Sequence, residues 1–324
     1  MGSTVVLTGT AGFIGSHLGT RLLHDGYRVV GFDNFNDFYD PALKRKNVED
    51  LAATGGDRFC MIEGDLRNDG DVEGLFQTVG DPFILVHLAA MAGVRPSLDD
   101  PMLYQQVNVT GTYRLLEAAR RSRITHYVFG SSSSVYGSSS RLPFSEQERD
   151  LDPLSPYAAT KLIGEQMAHV YHVCHSIPVT CLRFFTVFGP RQRPEMAIHK
   201  FTRAIHEGNE IQLFGDGTTT RDYTYVDDII DGVVAALDPP ERSRILNIGG
   251  GHRITLLDMV NSIADVLGRQ ARIKFVPVHP GDMRHTLADI SLAEKEIGYK
   301  PARPFQECLH SFVDWFLTTS GERG

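Results

Sequence analysis

The sequence predicts an α/β fold, a doubly wound parallel sheet with a smaller C-terminal α/β lobe. Three observations carry this. Short apolar runs of strand type alternate with helical stretches through residue 184. A glycine-spaced turn joins the first run to the first helix. Beyond residue 184 the alternation breaks, and 186–222 is rich in Gly, Pro, Arg and Thr. With 324 residues the chain can bury a large core, as one big domain or one plus a smaller lobe.

The first run is Val5-Val6-Leu7, followed by Thr8-Gly9-Thr10-Ala11-Gly12-Phe13-Ile14-Gly15 and a helix from Ser16. Gly9 allows the tight turn, Gly12 lets the backbone approach a pyrophosphate, and Gly15 lets the helix pack closely on the strand. The helix N-terminus offers N–H donors to phosphates. A second strand, Arg28–Phe32, ends in Asp33 and Asn34. The Asp33 carboxylate is placed to accept hydrogen bonds from an adenosine ribose and would repel a 2′-phosphate, so the expected cofactor is NAD rather than NADP. Asp65, in Ile62-Glu63-Gly64-Asp65-Leu66, follows a third strand and either faces the adenine or is a turn aspartate.

Phe83–His87 is a fourth strand, 101–121 a long helix, His126–Phe129 a fifth strand, 156–175 a helix and Val179–Arg183 a sixth strand. Then come a helix over Tyr225–Leu237, a loop over 238–241 and a short strand at Ile245–Ile248. This assigns 1–184 to a dinucleotide-binding domain, with about 222–250 returning to it. Residues 185–221 and 251–324 form a substrate-binding lobe.

The chemistry centres on two segments. Ser131-Ser132-Ser133-Ser134-Val135-Tyr136-Gly137 follows the fifth strand, at the carboxyl edge of the sheet where ligands bind in such folds. Tyr157 and Lys161 are four apart on one helix face. A phenol titrates near ~10. A nearby ammonium, with the charge of an oxidised nicotinamide, is expected to lower that value and make Tyr157 a base for an alcohol proton.

These pieces, with His87-Leu88-Ala89-Ala90, Asn108–Thr112, Gly189-Pro190-Arg191, Arg221–Asp228 and Pro280–Arg284, run along essentially the whole chain. Together they resemble the extended short-chain dehydrogenase/reductases of the nucleotide-sugar epimerase group, which have a Rossmann core. The resemblance implies Tyr157 as acid/base, Lys161 on the nicotinamide ribose and Ser132 on the reacting hydroxyl. It implies NAD contacts at Gly9, Gly12, Phe13, Ile14, Gly15, Asp33, Asn34, Asp65, Leu66, Ala89, Ala90, Asn108, Tyr157 and Lys161. It places Arg221 and Arg284 on a nucleotide diphosphate and sugar.

Finer likeness is to UDP-glucuronate 4-epimerases, through Gly31–Arg45, Ala89–Arg95, Phe184–Pro190 and Arg193–Ala197. Thr186 stands where most sugar-modifying relatives have Asn. Ser134 stands where dehydratases and decarboxylases carry a carboxylate, which disfavours elimination and decarboxylation. The implied reaction oxidises C4 of a UDP-sugar, turns the planar 4-keto sugar and reduces it on the other face, with NAD regenerated each cycle. A uronate at that stage is a β-keto acid and is prone to lose carbon dioxide. Its carboxylate therefore needs a firm grip, for which Arg193, Thr186, Ser133 and Ser134 are the candidates. Arg191 and Arg95 are alternatives, and Arg193 could instead serve the diphosphate or the fold. Beside UDP-glucuronate stand a neutral UDP-sugar and a non-catalytic NAD-binding role, the latter opposed by the intact Ser132, Tyr157 and Lys161.

A net charge of -8 argues against a nucleic-acid or anionic-membrane partner. No apolar run approaches the ~20 residues that span a bilayer. The N-terminus leads straight into the first strand, so no signal peptide is expected. Cys60, Cys174, Cys181 and Cys308 make no C-x-x-C pair, as expected of free thiols in a cytoplasmic protein. His169, His172 and His175 recur every third position, but strict threes drift around a helix, so no metal is expected. The helices at 101–121 and 156–175 are the pair through which relatives dimerise. Leu162, Met167, Val170 and Tyr171 suit either a homodimer seam or plain core packing.

Overall fold

The structure, a computed structural model, describes residues 3–79, 82–138, 141–277 and 283–319. Its centre is a parallel sheet of seven strands: β1 (Thr4–Thr8), β2 (Arg28–Asp33), β3 (Phe59–Glu63), β4 (Phe83–His87), β5 (Ile124–Ser132), β6 (Val179–Phe184) and a last strand, Arg244–Ile248. The last strand lies outside β6, and the order continues inward as β6-β5-β4-β1-β2-β3. The chain therefore leaves β1 toward β2 and β3, then returns to the other side of β1 to lay down β4. That reversal opens a crevice at the carboxyl ends of β1 and β4. Thr8 is in register with both Phe32 and His87, so these strand ends are level. β1 and β4 are buried almost throughout, as strands covered on both faces must be.

Helices cover both faces. One core joins Val5, Leu7, Leu18, Leu22, Ile229 and Val233, and also takes in Ala293 and Tyr299 from far down the chain. The other joins Val6, Leu85, Leu116, Phe129, Met167 and Tyr171. Met167 and Tyr171 are thus core residues, and Leu162 packs against the Tyr136 cluster. Of the four apolar positions named for a dimer seam, only Val170 is exposed.

The helix Pro156–His175 starts and stops as its sequence demands. Ser155 accepts from the Ala158 N–H, Pro156 occupies the first turn, and Ser176 ends it in a left-handed conformation. The helix expected over 101–121 runs unbroken from Pro101 to Arg120, but its middle, Gln105–Gly111, is π between the α turns Pro101–Tyr104 and Thr112–Arg120. Side chains explain the wide turn. Asn108 reaches out to clasp the Met91 backbone, and the Thr112 hydroxyl donates to the Asn108 carbonyl at 2.7 Å.

A third core gathers Phe188, Ile198, Ile211, Leu213, Met259, Ile263 and Phe312. It lies under the parallel pair Glu210–Phe214 and Arg272–Val276 and the helices Ala197–His206, Leu256–Leu267 and Phe305–Thr319. The helix Val226–Ala235 and the strand Arg244–Ile248 then carry the chain back to the seven-stranded sheet. No described helix is long and apolar enough to cross a membrane.

Candidate active site

A cleft of about 630 Å³ follows the carboxyl edge of the sheet from the glycine turn to the serines. Its floor fits a dinucleotide. Gly9 has φ +74°, and a Cβ there would sit 2.8 Å from the Ala89 nitrogen. A Cβ on Gly15 would collide with the Gly9 carbonyl. Only bare backbone lets the β1 turn, the β4 end and the first helix close on one another. Phe13, Ile14, Leu66 and Ala90 line the same floor.

Asp33 stands at the end of β2, buried, with its carboxylate accepting from Ala11 N (3.1 Å) and Phe35 N (3.0 Å). Burial raises its pKa, opposed by those N–H groups and by Lys44. Asn34 donates to Asp65 at 2.9 Å, and Arg67 holds the Asp65 carboxyl down to about 2.

At the other end, Ser132 closes β5. Its hydroxyl lies 3.1 Å from the Ser134 hydroxyl and accepts from the Ser134 N–H. Tyr157 packs edge-on against Tyr104, with ring centroids 6.3 Å apart. Lys161 is buried and donates to the Gly130 carbonyl at 2.6 Å, its ammonium 6.0 Å from the Tyr157 ring centre. The expected lowering of the phenol counts the charge of an oxidised nicotinamide in addition to the protein groups. Burial raises the Tyr157 pKa, opposed by the Ser132 hydrogen bond and the Arg193 charge. Burial also lowers Lys161 to about 8, opposed by Glu165. The ammonium is therefore charged below that value and lost as pH rises through it. Turnover is expected to fall along an alkaline limb near pH 8, read from kcat/KM against pH.

The expected substrate residues divide. Ser132, Ser133, Ser134, Thr186 and Arg193 line the cleft with Tyr157. Arg193 pairs with Glu195 at 3.0 Å and lies over the Phe38 ring. Arg191 is turned to Asp50 at 3.2 Å, and Arg95 lies 4.3 Å over the Phe214 ring, both outside the cleft lining. Each is drawn off by a partner on another element. Arg221 and Arg284 also lie outside the cleft lining and meet each other, Arg221 donating to the Arg284 carbonyl at 3.2 Å. Pro280, Gly281 and Asp282 lie outside the described residues. Asn108 sits behind the cleft, its amide spent on Met91 and Thr160.

Two features went unread in the sequence. Lys44 lines the cleft beside Asp33 and donates to Asn36 O (2.7 Å) and Oδ1 (2.8 Å). Its signal is a lysine on the buried stripe Lys44, Asn47, Leu51, Gly55 of a helix. Beneath the floor, His87 bridges the hydroxyls of Thr8 (2.7 Å) and Thr112 (2.9 Å), and burial lowers it to about 3. Among the described residues no cluster could hold a metal. His169 turns to Ser243 and His172 to the Ile177 carbonyl.

Residues 5–249 match the model of the NAD dependent epimerase/dehydratase family. The chain belongs to that family. It is 36% identical to a probable UDP-glucuronate 4-epimerase of Rhizobium meliloti, over 96% of each protein. It is 40% identical to UDP-glucuronate 4-epimerase 4 of Arabidopsis thaliana, over 98% of this chain and 76% of that one. Among solved structures, the UDP-glucuronic acid 4-epimerase of Bacillus cereus, in complex with UDP-glucuronic acid and NAD, matches with a TM-score of 0.91 at 39% identity, covering 98% of this chain and 99% of that one. The Rossmann core expected of this epimerase family is the seven-stranded sheet.

NAD is the cofactor of this family, and Asp33 makes a second prediction. NADP is expected to bind much more weakly, because its 2′-phosphate would meet a buried carboxylate. Asp33→Ala should narrow the gap mainly by harming NAD. Titration of both cofactors checks it, and equal affinities for the unmodified chain would remove Asp33 from this role.

Proposed function

We propose that this protein is a NAD-dependent UDP-sugar 4-epimerase that interconverts UDP-glucuronate and UDP-galacturonate through a 4-keto sugar. The observation that carries the substrate is Arg193. It is a cation, paired with Glu195, that lines the same cleft as Tyr157 and the hydroxyl residues Ser133, Ser134 and Thr186.

The glycine turn, Asp33 and Lys161 would hold NAD, which would supply the acceptor and donor of hydride at C4. Every other task falls to side chains. Ser132 orients O4, and Tyr157 takes its proton and later gives it back. Lys161 holds the nicotinamide ribose and adds positive charge beside the phenol. Burial alone makes the phenol a reluctant base, so that charge, Ser132 and Arg193 are what bring its proton within reach. Arg193 and the hydroxyls hold the carboxylate out of line with the C4 carbonyl, so the β-keto acid keeps its carbon dioxide while the ring turns. Arg221 and Arg284 grip the diphosphate. In this reading the sheet with its returning segments is the cofactor domain, and the third core supports the substrate lobe.

A homodimer is part of the proposal. Met102 and Tyr113 on one helical stretch and Ile163, Val170 and Val173 on the next are exposed, a paired apolar surface that a second copy would cover. A reducing, cytoplasmic setting suits four free cysteines.

The test is product analysis. The purified protein, given UDP-glucuronate and UDP-glucose separately, is expected to form UDP-galacturonate from the first, read by nuclear magnetic resonance. Efficient turnover of UDP-glucose with none of UDP-glucuronate would overturn the uronate assignment.

A further inference from the structure

Directly behind Tyr157, Lys161 and Ser132 lies a buried ion pair that does not line the cleft. Glu165 and Arg183 are each 2% exposed. The guanidinium grips the carboxylate with both arms, Nε to Oε1 at 2.9 Å and Nη2 to Oε2 at 2.7 Å. Ser131 donates to the same carboxylate at 2.5 Å. Glu165 follows Lys161 by one helical turn, and Ser131 immediately precedes Ser132. Ser131 and Arg183 are register partners on β5 and β6. Arg183 also lies 4.7 Å over the ring of Tyr136, in the turn that follows the serines. The helix is pressed on the sheet here, since a Cβ on Gly164 would collide with the Phe129 ring.

One carboxylate thus ties the helix that carries Tyr157 and Lys161 to β5, which carries Ser132, and to β6, which supplies Arg183. A buried pair is weak evidence for stability, because taking two charges out of water offsets most of their attraction. A bidentate fork is a strong constraint on geometry. We propose that the Glu165–Arg183 pair is a positioning device for the reaction, fixing the Tyr157–Lys161 helix against the Ser132 strand end and keeping Lys161 charged. This rests on the epimerase reading of the cleft.

The groups facing Glu165 are Ser131 from β5, Arg183 and Cys181 from β6, and Lys161 from its own helix. Tyr136 faces Arg183. Glu146 also faces Arg183 and Tyr136, but Glu165 is the carboxylate that favours the ammonium of Lys161. Removing that anion lets Lys161 lose its proton at lower pH.

The test separates positioning from folding. Glu165→Gln alone strands a buried guanidinium and risks the fold. The double variant Glu165→Gln/Arg183→Met removes both charges and keeps the volume. It is expected to melt near the wild-type temperature and to keep bound NAD and the KM for UDP-glucuronate. Its kcat should fall roughly 10²-fold, as for a small misplacement of reacting groups, and its alkaline limb should move to lower pH. Arg183→Lys is the second variant. It keeps the charge but loses the fork, so kcat should fall by less while the alkaline limb stays in place.

Wild-type kcat and an unmoved limb in a folded double variant, or undiminished kcat in Arg183→Lys, would reduce the pair to packing. A wild-type protein that ignores UDP-glucuronate would sink the substrate assignment instead. The variants are then compared on the UDP-sugar that the wild type does use.

Discussion

Tyr157→Phe is expected to lower turnover by about two to four decades, the span typical of a positioned acid/base group, while NAD stays bound. The change removes one oxygen. The ring keeps its edge-on contact with Tyr104, and the Ser155 cap and Pro156 at the helix start are untouched. What is lost is the hydroxyl that pairs with Ser132, on a ring that sits beside the Lys161 ammonium. Cofactor content after denaturation and single-turnover oxidation of UDP-glucuronate are the measurements. Loss of NAD together with activity would mean that the variant damages the cleft. Near-normal turnover would take the acid/base role from Tyr157.

Arg193→Ala should be the second large effect, and it should act on substrate choice. A hydrogen bond to a charged group contributes about 1.5–3 kcal/mol, so UDP-glucuronate affinity should fall by about 10–150-fold. UDP itself should bind nearly as before, because the diphosphate is assigned to Arg221 and Arg284, which meet each other away from the cleft that Arg193 lines. The residual reaction should leak. With the carboxylate no longer held, the 4-keto acid loses carbon dioxide and a 4-keto-pentose nucleotide accumulates, visible by nuclear magnetic resonance. Equal losses for UDP and UDP-glucuronate would move Arg193 to the diphosphate.

The backbone of this molecule was legible because its signals are local. Apolar runs, the glycine spacing and the Ser155-Pro156 start each act within one turn or strand, and all stand where the pattern puts them. The helix at 101–121 is present, but its π segment is not legible, because a long-range contact decides it. Nothing within a few residues of Asn108 says that its amide will reach Met91 and widen the turn. The arginines divide in the same way. Arg191 and Arg193 are two apart and chemically alike, yet Asp50, on a distant helix, draws one away and leaves the other in the cleft. For Tyr157 the spacing gives the lysine neighbour but not the burial, which raises the phenol against Ser132 and Arg193. Arg183 did leave a trace, a charge inside the otherwise apolar run Val179–Phe184, and such a charge needs a buried partner.

The order of the sheet sets a timetable for synthesis. β6 is complete at residue 184, but the strand that covers its outer edge is Arg244–Ile248. A nascent chain emerging from the ribosome must hold that edge open, with its backbone N–H and C=O groups unpaired and Cys181 and Leu182 close by, until the later strand arrives. At ordinary elongation rates of about 5–20 residues per second the wait is roughly 3–13 s. That is long beside the microseconds to milliseconds of local folding. The exposed edge is where holdase chaperones should engage this chain during translation. Fragments cut just after β6 should aggregate, whereas fragments that reach past Ile248 should stay in solution.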